Sequence, residues 1–157
     1  MGAAENKQVI TNMFAELARG NGAAFLDTIA NARAFIFAGC EDFGIVLAEA
    51  QACGTPLVAL DRGGVSDIVR STDDGDAPTG LLFGRQSVEA IIDAVDAFEV
   101  EIDEIAPAAC RENAMRFSEA RFHREFADAW GRAVDANRQG FIIRRDSSGP
   151  RMTGRLP

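Results

Sequence analysis

Three short apolar runs set the limits on what this chain can fold into. Arg33–Ala38 (RAFIFA), the PLVAL run from Pro56, and Gly80–Phe83 (GLLF) are each too brief for a helix, and Gly, Pro or Asp flanks them. Helix-patterned segments stand between and after them. Ile45, Leu47, Ala48 and Ala52 suit a packed helix over Gly44–Cys53 that Gly54 ends, and a short helix is expected at Val65–Val69 beyond the Asp61-Arg62-Gly63-Gly64 turn. STDDGDAPTG is an exposed loop. Ser87 is placed to cap a helix over Val88–Phe98, with two more at Pro107–Phe117 and Ser118–Asn137. Strand, helix, strand, helix, strand, helix at these lengths predicts an α/β fold with a parallel sheet and right-handed crossovers. Ahead of it, Val9, Ile10, Met13, Phe14 and Leu17 form one face of an amphipathic helix over Glu5–Arg19, and a second helix follows at Ala23–Ala32.

A chain of 157 residues, 47% hydrophobic and 25% charged, has the material for one sizeable core. No apolar run approaches the ~20 residues a bilayer crossing needs, and Met1–Gln8 has no signal-like apolar stretch, so a cytoplasmic protein is expected. The net charge of −8 is unevenly spread: residues 1–137 carry −12 and residues 138–157 carry +4. An acidic body repels a phosphate backbone, so no nucleic-acid partner is expected. The tail, with arginines among Gly, Pro and Ser, is expected to be disordered, and any membrane contact through it to be peripheral. Cys40, Cys53 and Cys110 show neither CxxC spacing nor a histidine pair, so neither a metal site nor a disulfide framework follows. Cys53 is read as a core residue and Cys40 as the exposed one.

Ligands of parallel sheets bind beyond the carboxyl ends of the strands, where loops enter helices. Gly39–Gly44 is such a loop. Glu41 lies in it, and Glu49, with seven residues between, lies about a turn and a half into the next helix. Unpaired N–H groups at Ile45 and Val46 favour an anion such as a diphosphate. Gly44 admits a ligand close to the backbone, and Glu49 can accept hydrogen bonds from vicinal hydroxyls such as those of a ribose. Glu41 can do the same for a sugar. The plain alternative is that Glu41 is a helix-start acid and Glu49 a solvated helix position.

GCEDFGIVLAEAQACGTPLVALDRGGVSDIV resembles the E-x7-E region of the family-4 retaining glycosyltransferases with their following strand and GG turn, and TGLLF and RENAMRFSEARFHREF resemble later segments of that family. The resemblance covers about Ile29 to Asn137. It implies a Rossmann-like parallel sheet with flanking helices, the C-terminal half of a two-domain GT-B fold, here incomplete. It implies a nucleoside-diphosphate sugar as substrate, with no cofactor and no metal. Carried onto this sequence, Glu41 would be catalytic and contact the donor sugar, Glu49 would hold the ribose, and Phe43, Gly44, Ile45 and Val46 would face sugar and diphosphate. The wording is closest to mannosyltransferase-like members, which makes GDP-mannose the favoured donor, although Cys40 stands where an acid or small residue is common. Asp67 replaces the commoner Glu after the GG turn. The Arg and Lys that neutralise the diphosphate in that family lie upstream, and Lys7 and Arg19 are in no matching motif.

ENKQVITNMFAELARGNGAAFLDTIA is similar to the opening helices of SnoaL-like cone proteins, which suggests a fusion near Ile29–Arg33. The expected organisation is therefore a helical segment over 1–30, a nucleotide-sugar-binding body over 31–137 and a basic tail over 138–157. His123, among Arg121, Arg124 and Glu125, reads as a surface residue. Ser66 and Ser118 lack a GxSxG context. Phe122, Phe126 and Trp130, spaced by four, read as a core stripe. Three functions stay open: the donor-binding part of a glycosyltransferase, inactive alone and served by a separate acceptor-binding chain; a non-catalytic remnant or fused interaction module; and a cone-fold isomerase or hydrolase. Open sheet edges predict self-association into a homo-oligomer.

Overall fold

The computed structural model describes residues 2–75 and 77–145. They fall into two compact units that divide between Phe117 and Ser118. The first holds α1 (Ala3–Ala18), α2 (Gly22–Ala30), β1 (Phe35–Phe37), α3 (Ile45–Cys53), β2 (Leu57–Leu60), α4 (Val65–Ile68), β3 (Gly80–Phe83), α5 (Val88–Glu101) and α6 (Pro107–Ala114), with short 3-10 turns after α4, α5 and α6. The sheet order is β1-β2-β3, and both pairings are parallel, Phe35 opposite Leu57 and Leu57 opposite Gly80. Strand–helix alternation thus becomes the parallel layer expected of it.

Strand side chains alternate between the sheet faces, and each face has its own core. Leu57 and Ala59 join Ile29, Leu47, Ala50, Val65 and Ile68, with Phe35 and Phe37 packed on the cluster. Val58 and Leu60 join Phe83, Ala90, Ala94, Phe98, Ile105 and Cys110. All four residues of β2 are buried, as a central strand covered on both faces should be. Ser87 Oγ accepts from the Ala90 N–H at 3.2 Å and caps α5. Gly54 ends α3 in the left-handed conformation.

Four buried polar side chains bind the helices to the sheet. Gln51 Nε2 donates to Thr79 Oγ1 (3.0 Å), Asn113 Nδ2 donates to Gln51 Oε1 (2.5 Å) and to the Ile68 carbonyl (2.6 Å), and Thr55 Oγ1 donates to the Ile29 carbonyl (2.7 Å). Arg116 closes the group with a 2.9 Å bond to Asn113 Oδ1. Gln51, Thr55, Thr79 and Asn113 are buried and hydrogen-bonded, as the cost of leaving such groups unpaired requires, while Arg116 reaches in from the surface.

The second unit is α7 (Glu119–Arg145). It runs past Asn137, so residues 138–145 are helical where an irregular tail was expected. The sequence permits this: Gly140 is the one strongly helix-disfavouring residue there, four of the eight are Arg or Gln, and no proline follows Pro107 before Pro150. Residues 146–157, the rest of the expected tail, lie outside the described residues. Phe122, Phe126 and Trp130 are exposed, Trp130 by 65%, and stack on one another with centroids 5.6 and 6.4 Å apart. The expected core stripe is an exposed aromatic row, because side chains four apart share a face whether or not anything covers it. His123 is on the surface, 3.2 Å from Glu119.

Candidate functional site

Chain direction brings the loops after β1 and β2 to the same end of the sheet, and these two loops lock together. Glu41 forms a parallel bridge with Gly63, and the Gly64 N–H donates to the Glu41 carbonyl at 2.9 Å. The two glycines are required by closeness. A Cβ on Gly63 would meet Glu41 O at 2.1 Å, and one on Gly64 would meet Asp42 O at 2.1 Å. The GG turn is therefore the floor on which Glu41–Asp42–Phe43 lies. On the other side, Gln86 Nε2 holds the Ala38 carbonyl at 2.6 Å, where the chain leaves β1.

From that floor the chain turns into α3 through Gly44, whose φ of 75° and ψ of 66° are left-handed. The Leu47 N–H closes onto the Gly44 carbonyl at 2.9 Å, so the N–H groups of Ile45 and Val46 begin the helix ahead of the first such bond. Glu41 Oε2 stands 3.7 Å from the position a Gly44 Cβ would take, which brings its carboxylate to the helix start. That position is favoured by the helix dipole and crowds an incoming anion with like charge. Glu49 is exposed on the same helix, Phe43 is exposed and packs edge-on against Phe117 (5.3 Å), and Ile45 is 66% exposed. The site residues singled out from the sequence thus belong to one loop and the first turns of one helix, on an open surface.

Two cavities lie elsewhere. One of about 350 Å³ is lined by Asp61, Ser66, Ser71, Asp73, Phe83 and Gly84, beyond the carboxyl ends of β2 and β3. The other, about 450 Å³, lies near Arg33, Cys53, Pro56 and Arg111 at the amino ends of the strands. Neither is lined by Glu41 or Glu49. Among the described residues no group of three or more His, Cys, Asp or Glu could hold a metal, and no helix is long and apolar enough to cross a membrane. Cys40 is exposed and Cys110 is fully buried, and burial pushes the Cys110 thiol up to about 11, a structural and unreactive state. Cys53 is half-buried and packs on the core.

Sequence reasoning missed two things here. The buried polar group around Gln51 and Asn113 fixes the far end of α3, and its one visible signal is a glutamine in an otherwise apolar helix pattern. The GG turn was legible as a turn, and its role as the floor of the loop was not, since that depends on which loops meet.

A doubly covered parallel sheet whose first described strand feeds a loop, a left-handed glycine and a helix start is Rossmann-like. The family described as "Glycosyl transferases group 1" matches residues 18–117, and the chain belongs to it. The match includes α2 and crosses the Ile29–Arg33 junction suggested by the two resemblances. A D-inositol 3-phosphate glycosyltransferase of Saccharomonospora viridis is 37% identical over 100 residues, 62% of this chain and 22% of that protein. The lipopolysaccharide core biosynthesis mannosyltransferase LpsB of Rhizobium meliloti is 37% identical over 68 residues, 43% of this chain and 18% of that protein. This chain therefore spans about a fifth of the length of these relatives. Sucrose-phosphate synthase of Thermosynechococcus elongatus superposes with a TM-score of 0.59 at 24% identity, over 73% of this chain and 28% of that one. The fold is that of the GT-B glycosyltransferases.

Proposed function

We propose that Glu41–Glu49 is the donor side of a retaining glycosyltransferase site and takes a nucleoside-diphosphate sugar. The observation that carries this reading is the left-handed Gly44 at the start of α3, with a carboxylate on either side of it, at the carboxyl end of β1. The diphosphate meets the Ile45 and Val46 N–H groups. Glu49 accepts hydrogen bonds from the ribose diol, and Glu41 acts on the hexose hydroxyls beside the bond that breaks. Catalysis rests on positioning the anomeric carbon and stabilising the departing diphosphate. The Rhizobium relative is a mannosyltransferase, which supports mannose as the transferred sugar, and with it GDP-mannose.

The organisation that goes with this reading is a helical segment over 1–30, a donor-binding body over 31–137 and a basic tail over 138–157. The family match supports extending the body back to α2. The wall opposite Glu41 and Glu49 comes from an acceptor-binding part, supplied by a separate chain or a longer one. The protein works in the cytoplasm, where nucleotide sugars are made.

Titration of the chain with GDP and GDP-mannose, followed by amide spectra, tests the reading. Shifts confined to residues 39–49 and 61–66 are expected at millimolar ligand, with no sugar transfer by the chain alone. Shifts elsewhere, or none for either ligand, would reject it.

A further inference from the structure

Gln86 stands between β3 and α5, where the backbone has little freedom. The Asp61 N–H donates to the Phe83 carbonyl at 2.9 Å, so the end of β3 stays tied to the end of β2. α5 starts at the Ser87 cap, and the Ser87 N–H closes onto the Arg85 carbonyl at 3.0 Å. From this fixed point the Gln86 side chain crosses to the loop after β1, although β1 and β3 are not paired in the order β1-β2-β3. Its Nε2 donates to the Ala38 carbonyl at 2.6 Å. A carbonyl only accepts, so the nitrogen of the amide must face it. Gly39 and Cys40 alone separate Ala38 from Glu41, whose bridge to Gly63 is the next anchor of the loop.

We propose that Gln86 is a positioning residue for the donor sugar, acting through the place it gives Glu41 at the start of α3. The inference rests on the donor reading of Glu41. A span of chain held at both ends keeps its side chains in place, whereas a span held at one end swings. Gly63 and Gly64 hold the Glu41 backbone from below, and the Gln86 amide fixes the point where the chain leaves β1. Without that bond, Ala38–Cys40 gain freedom, and the Glu41 carboxylate spreads over more positions. Glu49 and the N–H groups of Ile45 and Val46 belong to α3 and move with the helix, so the part of the site that meets the nucleotide is insulated from Gln86. The loss therefore falls on the hexose and spares the ribose and diphosphate. A general loss of stability would not separate the two.

Titration of the full chain with GDP and GDP-mannose, followed by amide spectra, tests this on Gln86→Ala, Gln86→Glu and Gln86→Lys. Gln86→Ala should weaken GDP-mannose about three- to tenfold, the worth of one hydrogen bond, and leave GDP unchanged. Gln86→Glu keeps nearly the same shape and cannot donate, so it should lose at least as much. Gln86→Lys keeps a donor on a long stem and should recover most of the affinity. In the ligand-free Gln86→Ala and Gln86→Glu proteins the amides of residues 38–42 should move, and those of residues 47–53 should not. If Glu41→Ala weakens the sugar conjugate while Gln86→Glu binds it as the wild type does, the role of Gln86 is overturned and the donor reading stands. Equal weakening of both ligands in Gln86→Ala, or unmoved amides at 38–42 in Gln86→Glu, would also overturn it. No binding of either ligand by the wild-type chain would overturn both.

Discussion

Asn113 is the residue on which most of the buried polar contacts converge. Its amide serves Gln51, the Ile68 carbonyl and Arg116, linking α6 to α3 and α4. Asn113→Ala removes one partner from each of three groups and leaves buried ones unpaired, so a loss of about 2–4 kcal/mol is expected in urea unfolding. Asn113→Asp should not rescue it, because a carboxylate cannot donate to Gln51 or Ile68. Cys110 provides a second readout. Burial raises its thiol from 9 to about 11, with Arg111 pulling weakly the other way. The folded state thus holds the proton more tightly than the unfolded chain. Its stabilising effect is complete below pH 9 and is lost as the pH rises through about 11, by roughly 2–3 kcal/mol. The sequence has no tyrosine and a single lysine, Lys7, so few other groups titrate there. Unfolding midpoints at pH 8 and pH 10.5 should therefore fall further apart in the wild-type protein than in Cys110→Ala.

At the scale of elements, the strands and helices of the sheet region were legible because their signals are local. Apolar runs bounded by Gly and Pro gave β1, β2 and β3 to within two residues, and Ser87 and Gly54 mark the ends that they cap. The candidate site was legible as a set of residues, since one loop and one helix contain it. Its support was not, because contact between the β1 and β2 loops joins residues more than twenty apart. The same limit explains the aromatic row of α7: a four-residue spacing defines a face and does not say what covers it. The GG floor yields a direct check. Gly64→Ala would drive a Cβ to 2.1 Å from Asp42 O, a separation that backbone atoms cannot tolerate, so the loop must lift. A loss of about 1–3 kcal/mol in stability is expected, with donor-induced amide shifts at residues 41–46 reduced or abolished. An unchanged loop in Gly64→Ala would mean that the turn does not support it.

At the scale of the whole molecule, the proposed reading makes this chain one wall of a two-walled donor site. The family and the GT-B fold account for the parallel sheet and for the E-x7-E helix. The surface around Glu41 and Glu49 is open, and the chain corresponds to about a fifth of its relatives. On that reading donor affinity should be low: the helix start is what would meet the diphosphate, and the Glu41 carboxylate already stands beside it. The two glutamates should nevertheless divide the donor between them, which makes their separation the central claim. Neither substitution disturbs the frame, since Glu41 is pinned through its carbonyl and Glu49 is an exposed helix residue where alanine is well tolerated. The decisive measurement is calorimetric titration of GDP and GDP-mannose into the wild-type, Glu41→Ala and Glu49→Ala proteins. Glu49→Ala should weaken both ligands about ten- to hundredfold, the equivalent of ~1.5–3 kcal/mol for a charge-assisted pair of bonds to the ribose, whereas Glu41→Ala should weaken only the sugar conjugate. Equal losses of both ligands in Glu41→Ala, or no loss in Glu49→Ala, would contradict the account.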